Sequence, residues 1–339
     1  MPATGPRRAV SMADIARLAG VSVTTVSHVV NKTRPVAPDT ETAVLAAIAE
    51  TGYVADNVVR SLRTAGTHTV GLAMSSISNP YFGDVVHGLE QAASRAGYSL
   101  LLADTHDEIR TELRAVSDLL SRQVEAIVLA PSADPGRSLR HARLQDVPVV
   151  LIDRLMEANV DQIGSENVEP TAELVDHLVS VGHRRIAMIS GRAGLSTSGE
   201  RIAGYRLGLR RNRLRANADY LVSGDSRDDV AQRALLRLLA LPKPPTALVV
   251  ANNRMTIGVM RGAREVGMKI PDDMALVAFD DFEWADLFHP RLTVIAQPTQ
   301  KMGEQALQLV LSRLADPAMP PRRIVMHPTF VHRESCGCT

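Results

Sequence analysis

From residue 69 onward the sequence alternates short apolar runs with amphipathic stretches, and that alternation leaves few folds open. Runs at 70–74, 100–103, 126–130 and 147–152 are separated by stretches with helical spacing such as 84–96 and 108–122. The pattern then starts again, with strands expected at 186–190, 246–251 and 274–279 and helices near 171–181, 200–212, 228–239 and 256–266. Strands that are apolar throughout, rather than on alternate residues, are buried on both faces, which is the mark of parallel sheets covered by helices. Two doubly wound halves follow. Such halves take small ligands in the crevice outside the carboxyl ends of their strands.

A different pattern precedes them. Over 11–31, SMADIARLAGVSVTTVSHVVN, Ser11 and Asp14 have capping-box spacing, and Met12, Ile15, Ala16 and Ala19 fall on one helical stripe. Gly20 supplies a residue tolerant of positive φ, and Ser22 can cap a second helix. On that helix Val26, Val29 and Val30 share one face, and Thr24, Thr25 and His28 share the other. Two short helices with a tight turn, the second presenting short polar groups near its start, form a helix-turn-helix suited to a major groove. A third helix is expected over 38–51, with Val44, Leu45 and Ile48 inward and Gly52 ending it.

With 45% hydrophobic and 22% charged residues over 339 positions, the composition is that of a globular protein of two or three domains. Residues 1–66 hold seven Lys or Arg against five acids in a chain of formal net charge +1, so DNA affinity has to come from paired headpieces and helix termini rather than bulk charge. No run approaches the roughly 20 apolar residues of a membrane span, and the N-terminus lacks a signal-peptide core, so a cytoplasmic location without membrane contact is expected. The two cysteines, Cys336 and Cys338, read as free thiols on a tail; a CxC metal or redox site is the alternative, with His332 the one nearby histidine. No metal or cofactor is expected. Nucleotide-binding GxG loops, GxSxG, GxxxxGK and HExxH are all absent, which argues against an enzyme.

Thr25 to Asn31, TVSHVVN, resembles the T-V-S-[RH]-V-[VIL]-N phrase that closes the recognition helix in the lactose and purine repressor family. The resemblance implies DNA contacts from Ser22, Val23, Thr24, Thr25, His28 and Asn31, and from Arg34 in the loop that follows. Residues 53–66, YVADNVVRSLRTAG, resemble the family hinge Y-x-P-N-x-x-A-R-S-L, departing from it at Ala55, Asp56 and Val59. By that likeness Leu62 wedges into the minor groove, flanked by Arg60 and Arg63.

The same likeness extends over the rest of the chain. It implies a three-helix headpiece on a two-lobed body like a periplasmic sugar-binding protein, made of two doubly wound parallel sheets. The expected divisions are an arm over 1–10, the headpiece over 11–55, a hinge over 56–66, one lobe from 67–165 plus 298–327, and a second from 166–297 plus 328–339. The chain crosses between lobes near 164–166, 295–298 and 327–329, and a helix over 299–315 returns to the first lobe.

Aromatic residues are few, yet Tyr81 and Phe82 are adjacent, and Phe279, Phe282, Trp284 and Phe288 fall within ten positions. Each group follows a strand, where the crevice lies. Phe279, Phe282 and Phe288 read as core, and Trp284 as the stacking candidate. Segments matching the family add Asn79, Tyr81 and Phe82 after the first strand, Asp153-Arg154 after the fourth, Arg201 in an R-x-x-G-[FY] segment, Asn253 where Asp is commoner, and Asp280. Arg201 and Asp280 would clamp the ligand. The expected protein is a homodimeric DNA-binding regulator, most commonly a repressor in this family, controlled by a sugar-like or purine-like effector. The recognition helix is closer to the purine-responsive members and the crevice to the sugar-responsive ones.

Overall fold

The computed structural model describes residues 10–31, 34–53, 66–75 and 79–338. They form two compact units, 1–67 and 68–339.

In the first unit, helices α1 (Met12–Ala19), α2 (Val23–Asn31) and α3 (Pro38–Thr51) enclose a small core of Ile15, Ala16, Val26, Val29, Val44 and Ala47. The capping box at α1 is complete: the Ser11 hydroxyl accepts from the Asp14 N–H at 3.3 Å, and the Ser11 N–H donates back to the Asp14 carboxylate at 3.0 Å. Gly20 then closes the helix in the left-handed region, at φ +68°. Losing such a cap costs about 1 kcal/mol. Ser11→Ala is therefore expected to speed amide hydrogen exchange along α1 by about fivefold, the factor that energy corresponds to. Leu45, expected inward, is 53% exposed, and Ala47 is buried instead. The core face of α3 follows positions 44, 47 and 48, one helical step of three and four, from which 45 is turned away.

In the second unit, strands and helices alternate in the order β1 (Thr69–Met74), α4 (Pro80–Arg95), β2 (Ser99–Asp104), α5 (Ile109–Ser121), β3 (Ala126–Leu129), α6 (Gly136–Leu144), β4 (Val149–Asp153) and β5 (Asp161–Ser165). The sequence continues through α7 (Val168–Ser180), β6 (Ile186–Ser190), α8 (Ser196–Arg211), β7 (Leu221–Ser223), α9 (Asp228–Leu239), β8 (Ala247–Val250), α10 (Asn253–Glu265) and β9 (Ala275–Phe279). It ends with β10 (Thr293–Ala296), α11 (Thr299–Ala315), β11 (Arg323–Met326) and β12 (Thr329–Val331).

Two six-stranded sheets result, ordered β11-β5-β4-β3-β1-β2 and β12-β10-β9-β8-β6-β7. Read from the other edge, each runs second, first, third, fourth, fifth, so β4 of one sheet and β9 of the other are equivalent strands. All pairs are parallel except β10 with β12. In the first sheet Val70, Leu72, Val128 and Val150 face α4 and α11, while Ala73, Ile127, Leu129 and Leu151 face α5 and α6. Both parities of the central strands β1, β3 and β4 are buried, which is why these strands read as unbroken apolar runs.

The chain leaves the first sheet after β5 and enters the second through α7, at 166–167. It returns between β10 and α11, at 297–298, and crosses again between β11 and β12, at 327–328. Five of these strands, β5, β7, β10, β11 and β12, carry at most three consecutive apolar residues and are not among those expected from the sequence. In β5 the buried Asp161 accepts from Arg313 Nε at 2.9 Å and from the Arg322 N–H at 2.8 Å, while the Gln162 amide bonds both the N–H and the carbonyl of Met156. Paired polar groups are tolerated inside at little cost, so burial there is invisible to hydropathy.

Candidate functional site

The headpiece presents the start of α2. Ser22, Val23 and Thr24 are exposed, Thr25 and His28 half-buried, and Val26 and Val29 are turned into the core. The Ser22 hydroxyl accepts from the Thr25 N–H at 3.0 Å and lies 2.8 Å from the Thr25 hydroxyl, so it caps the helix it begins. Arg34 is exposed in the loop beyond. The polar groups expected to read bases thus stand on the outer face of a helix held by its inner valines. Arg60, Leu62 and Arg63, and the side chain of Asn31, lie outside the described residues.

In the body, one cleft lies where the carboxyl ends of both sheets meet. Its lining includes Ser75, Asn79, Tyr81, Phe82, Asp107, Asp153 and Arg154 from one lobe and Thr197, Ser198, Arg201, Ser226, Asn252, Arg254 and Asp280 from the other, with Gln297 at a crossing. Its cavity volume is about 60 Å³, room for a few waters. Nearby the lobes touch: Arg192 Nη1 donates to the His106 carbonyl at 3.2 Å, and a Cβ on Gly194 would lie 2.9 Å from that of Ala133.

Two carboxylates stand at equivalent places. Asp153 ends β4 and Asp280 follows β9, both in the left-handed region at φ +70° and +73°, which Asp accepts more readily than most residues. Each meets a buried arginine. Arg154 Nη1 donates to Asp107 at 2.5 Å and to the Pro131 carbonyl at 2.8 Å, and its Nε lies 3.4 Å from Asp153. Burial alone would lower the Arg154 pKa, but Asp107 and Asp153 outweigh it and raise it. Arg201 Nε donates to Asn167 at 2.9 Å and Nη1 to the Ala251 carbonyl at 2.5 Å; Nη2 lies 3.7 Å from Asp280, and the guanidinium carbon sits 3.7 Å over the Phe279 ring. The Tyr81 hydroxyl donates to Asp153 at 2.6 Å, and Gln297 Nε2 to Asp280 at 2.6 Å. Burial first, and Asp153 next, push the Tyr81 pKa up, so the phenol stays a donor.

Burial also raises the Asp280 carboxyl above the usual carboxylate range, against the pull of Arg201 and the Gln297 bond. An acid with a raised folded-state pKa contributes stability that is fully present below its unfolded value and is lost as pH rises through the raised one. Wild-type Tm should therefore carry a downward component as pH climbs from about 4. Asp280→Asn is expected to flatten it, as thermal melts across a pH series would show.

Of the residues expected to meet the ligand, Asn79, Tyr81, Phe82, Arg154, Arg201 and Asp280 line the cleft, and two do not. Trp284 is 41% exposed and packs edge-on against Phe282, ring centroids 5.1 Å apart, away from the lining. Asn253 is fully buried behind the wall, where its backbone bonds Asp280; the neighbouring Asn252 lines the cleft and caps α10. Phe279 and Phe282 are buried, as expected. Sequence reasoning missed Ser75, Asp107, Thr197, Ser198, Ser226, Arg254 and Gln297. Ser75, Asp107 and Ser226 fall within three residues of a strand's carboxyl end, a rule that would have found them. Thr197 and Ser198 share a helical face with Arg201 through steps of four and three.

Comparison with known proteins gives two family matches. Residues 11–56 match the family described as bacterial regulatory proteins, lacI family, and residues 175–336 match a periplasmic binding protein-like domain. The chain is 35% identical over 325 residues to the HTH-type transcriptional repressor PurR of Vibrio campbellii, covering 95% of this chain and 97% of that one. It is 32% identical to the ribose operon repressor of Escherichia coli K12, covering 96% and 99%. Among solved structures, the lac repressor dimer bound to operator and the anti-inducer ONPF matches with TM-score 0.85 at 26% identity, covering 97% of this chain and 99% of that one.

Proposed function

The chain belongs to the lacI family of bacterial regulatory proteins, transcriptional repressors and not enzymes, and on that premise we propose that it binds a near-palindromic operator as a homodimer under the control of a sugar or sugar derivative. Two headpieces related by a two-fold axis would read two half-sites. The observation that supports a sugar is the cleft's lining: three carboxylates, three guanidinium groups and several hydroxyls and amides converge on one small volume. Such groups bind polyols through paired hydrogen bonds. A purine instead wants an open ring face to stack on. Tyr81 and Phe82 are buried and packed edge-on against each other, and the guanidinium of Arg201 lies over Phe279.

In the cleft Tyr81 donates to Asp153, Gln297 to Asp280 and Arg154 to Asp107, so part of the polar lining is bonded internally. An effector would replace those internal bonds, change the angle between the lobes and so bias the DNA-competent state. The test is fluorescence anisotropy on a library of near-palindromic operators, run with pentoses, hexoses, their phosphates and purines. A sugar that shifts the operator affinity supports the reading; a response to purines alone overturns the choice of effector. Selective DNA binding absent in every condition overturns the regulator reading itself. On the operator that is found, Thr24→Ala and His28→Ala are expected to lose about 1–3 kcal/mol of discrimination each, with non-specific binding unchanged. Arg34→Ala, as a phosphate contact, should weaken all sequences about equally and lower the salt slope by about 1.

A further inference from the structure

The two cysteines at the end of the chain are not isolated thiols. The chain leaves β12 with His332, and Gly337 at φ +80° lets Cys336 and Cys338 turn their sulfurs to the same side, 3.1 Å apart. His332 Nε2 lies 3.2 Å from Cys336 Sγ and 2.7 Å from Cys338 Sγ. A fourth group arrives from far away in the sequence: His177, in the last turn of α7, places Nε2 3.4 Å from Cys338 Sγ. All four ligand atoms fall within 4.8 Å of one another. The imidazoles are held by Phe330, whose ring stacks parallel to His332 at 10° and lies 5.1 Å from His177.

We propose that His177, His332, Cys336 and Cys338 form a structural Cys2His2 site for a zinc ion that staples the end of the chain to the second lobe. Two thiols and two imidazoles are the donor set of tetrahedral zinc. With zinc–sulfur bonds near 2.3 Å and zinc–nitrogen bonds near 2.0 Å, the edges of such a tetrahedron are about 3.3–3.8 Å. The contacts of 2.7–3.4 Å, and an outer limit of 4.8 Å for the four atoms, bracket that range, so side-chain movements of up to about 1 Å would seat the ion. Four protein ligands leave no open position, which makes the site structural rather than catalytic. It lies apart from the effector cleft, none of whose lining residues it uses.

The test uses untagged full-length protein kept reduced with a phosphine. Metal analysis after equilibration with zinc and desalting is expected to give one zinc per chain. Cobalt in its place should give a thiolate-to-metal charge-transfer band and tetrahedral d–d bands. His332→Ala, at an exposed position, and Cys338→Ser should each lower zinc affinity by more than about 100-fold, beyond the loss from an outer-shell partner, while operator and effector binding stay intact. Zinc removal should lower Tm, and its return should restore it. Zinc well below one per chain, zinc binding unchanged in His332→Ala and Cys338→Ser, or an octahedral cobalt spectrum would overturn the proposal. So would reduced protein that forms a Cys336–Cys338 disulfide in air with zinc present.

Discussion

Arg201→Ala is expected to abolish the response to effector, weakening effector binding by at least about 100-fold, and to lower the stability of the body. The guanidinium is buried and spends its donors on Asn167, the Ala251 carbonyl and Asp280 while lying over Phe279. Its loss leaves the buried Asp280 facing Asp153 with only Gln297 and a backbone N–H for compensation. Removing one partner of a buried pair costs about 3–5 kcal/mol, most of it the penalty of the stranded charge. Asp280 would escape part of that penalty by protonating, since the group that pulls its pKa down is gone. Arg201→Lys is the informative companion. It keeps the charge but loses the planar fork that meets three partners at once, so it should fold and still respond poorly. Calorimetric titration of the effector, with operator binding followed in parallel, reads both. An Arg201→Lys protein that responds as wild type would remove Arg201 from the site.

Gly88→Ala is expected to destabilise the first lobe by about 2 kcal/mol or more, although alanine is the better helix former. A Cβ at Gly88 would lie 2.1 Å from the Gln300 carbonyl oxygen and 2.7 Å from its carbon. From the opposite side, a Cβ at Gly303 would meet the Val85 carbonyl at 2.3 Å. These are backbone atoms of α4 and α11, so no side chain can swing aside and the helices themselves must separate. Such overpacking costs about 1–3 kcal/mol and occasionally more. The gain in helix propensity, about 1 kcal/mol, is too small to offset it. Gly83, on the same helix, provides the control: nothing lies within 4 Å of its would-be Cβ, so Gly83→Ala should stabilise by up to about 1 kcal/mol. Urea denaturation of the three proteins checks the pair. Equal behaviour of the two alanine variants would mean that the close approach of α4 and α11 carries no weight.

The second lobe repeats the device at Gly204, where a Cβ would lie 2.3 Å from the Val168 carbonyl oxygen. In sequence these glycines sit inside helices and look like defects. Only the neighbouring helix explains them.

Much of the architecture was legible because it depends on near neighbours. The capping box of Ser11 and Asp14, the left-handed Gly20, the valines of α2 and the apolar runs of the central strands are all set by spacing along the chain. Leu45 shows the limit of that legibility. Its hydrophobicity was plain, but the direction of α3 against its neighbours decided whether it faced in. Polar strands such as β5 escaped for the complementary reason, since their burial is made tolerable by distant partners like Arg313.

The sequence by itself thus determined the helix-turn-helix and the alternation of central strands and helices in two parallel sheets, because cap chemistry and hydrophobic period act within a few residues. The tertiary structure alone decided which polar groups meet. It brought Asp153 and Asp280 to equivalent strand ends facing one cleft, put Asn252 rather than Asn253 on its wall, left Trp284 outside it, and carried His177 to the cysteines near the end of the chain. Those meetings join residues more than a hundred positions apart, and they are set by the packing of helices on sheets, which no local pattern records.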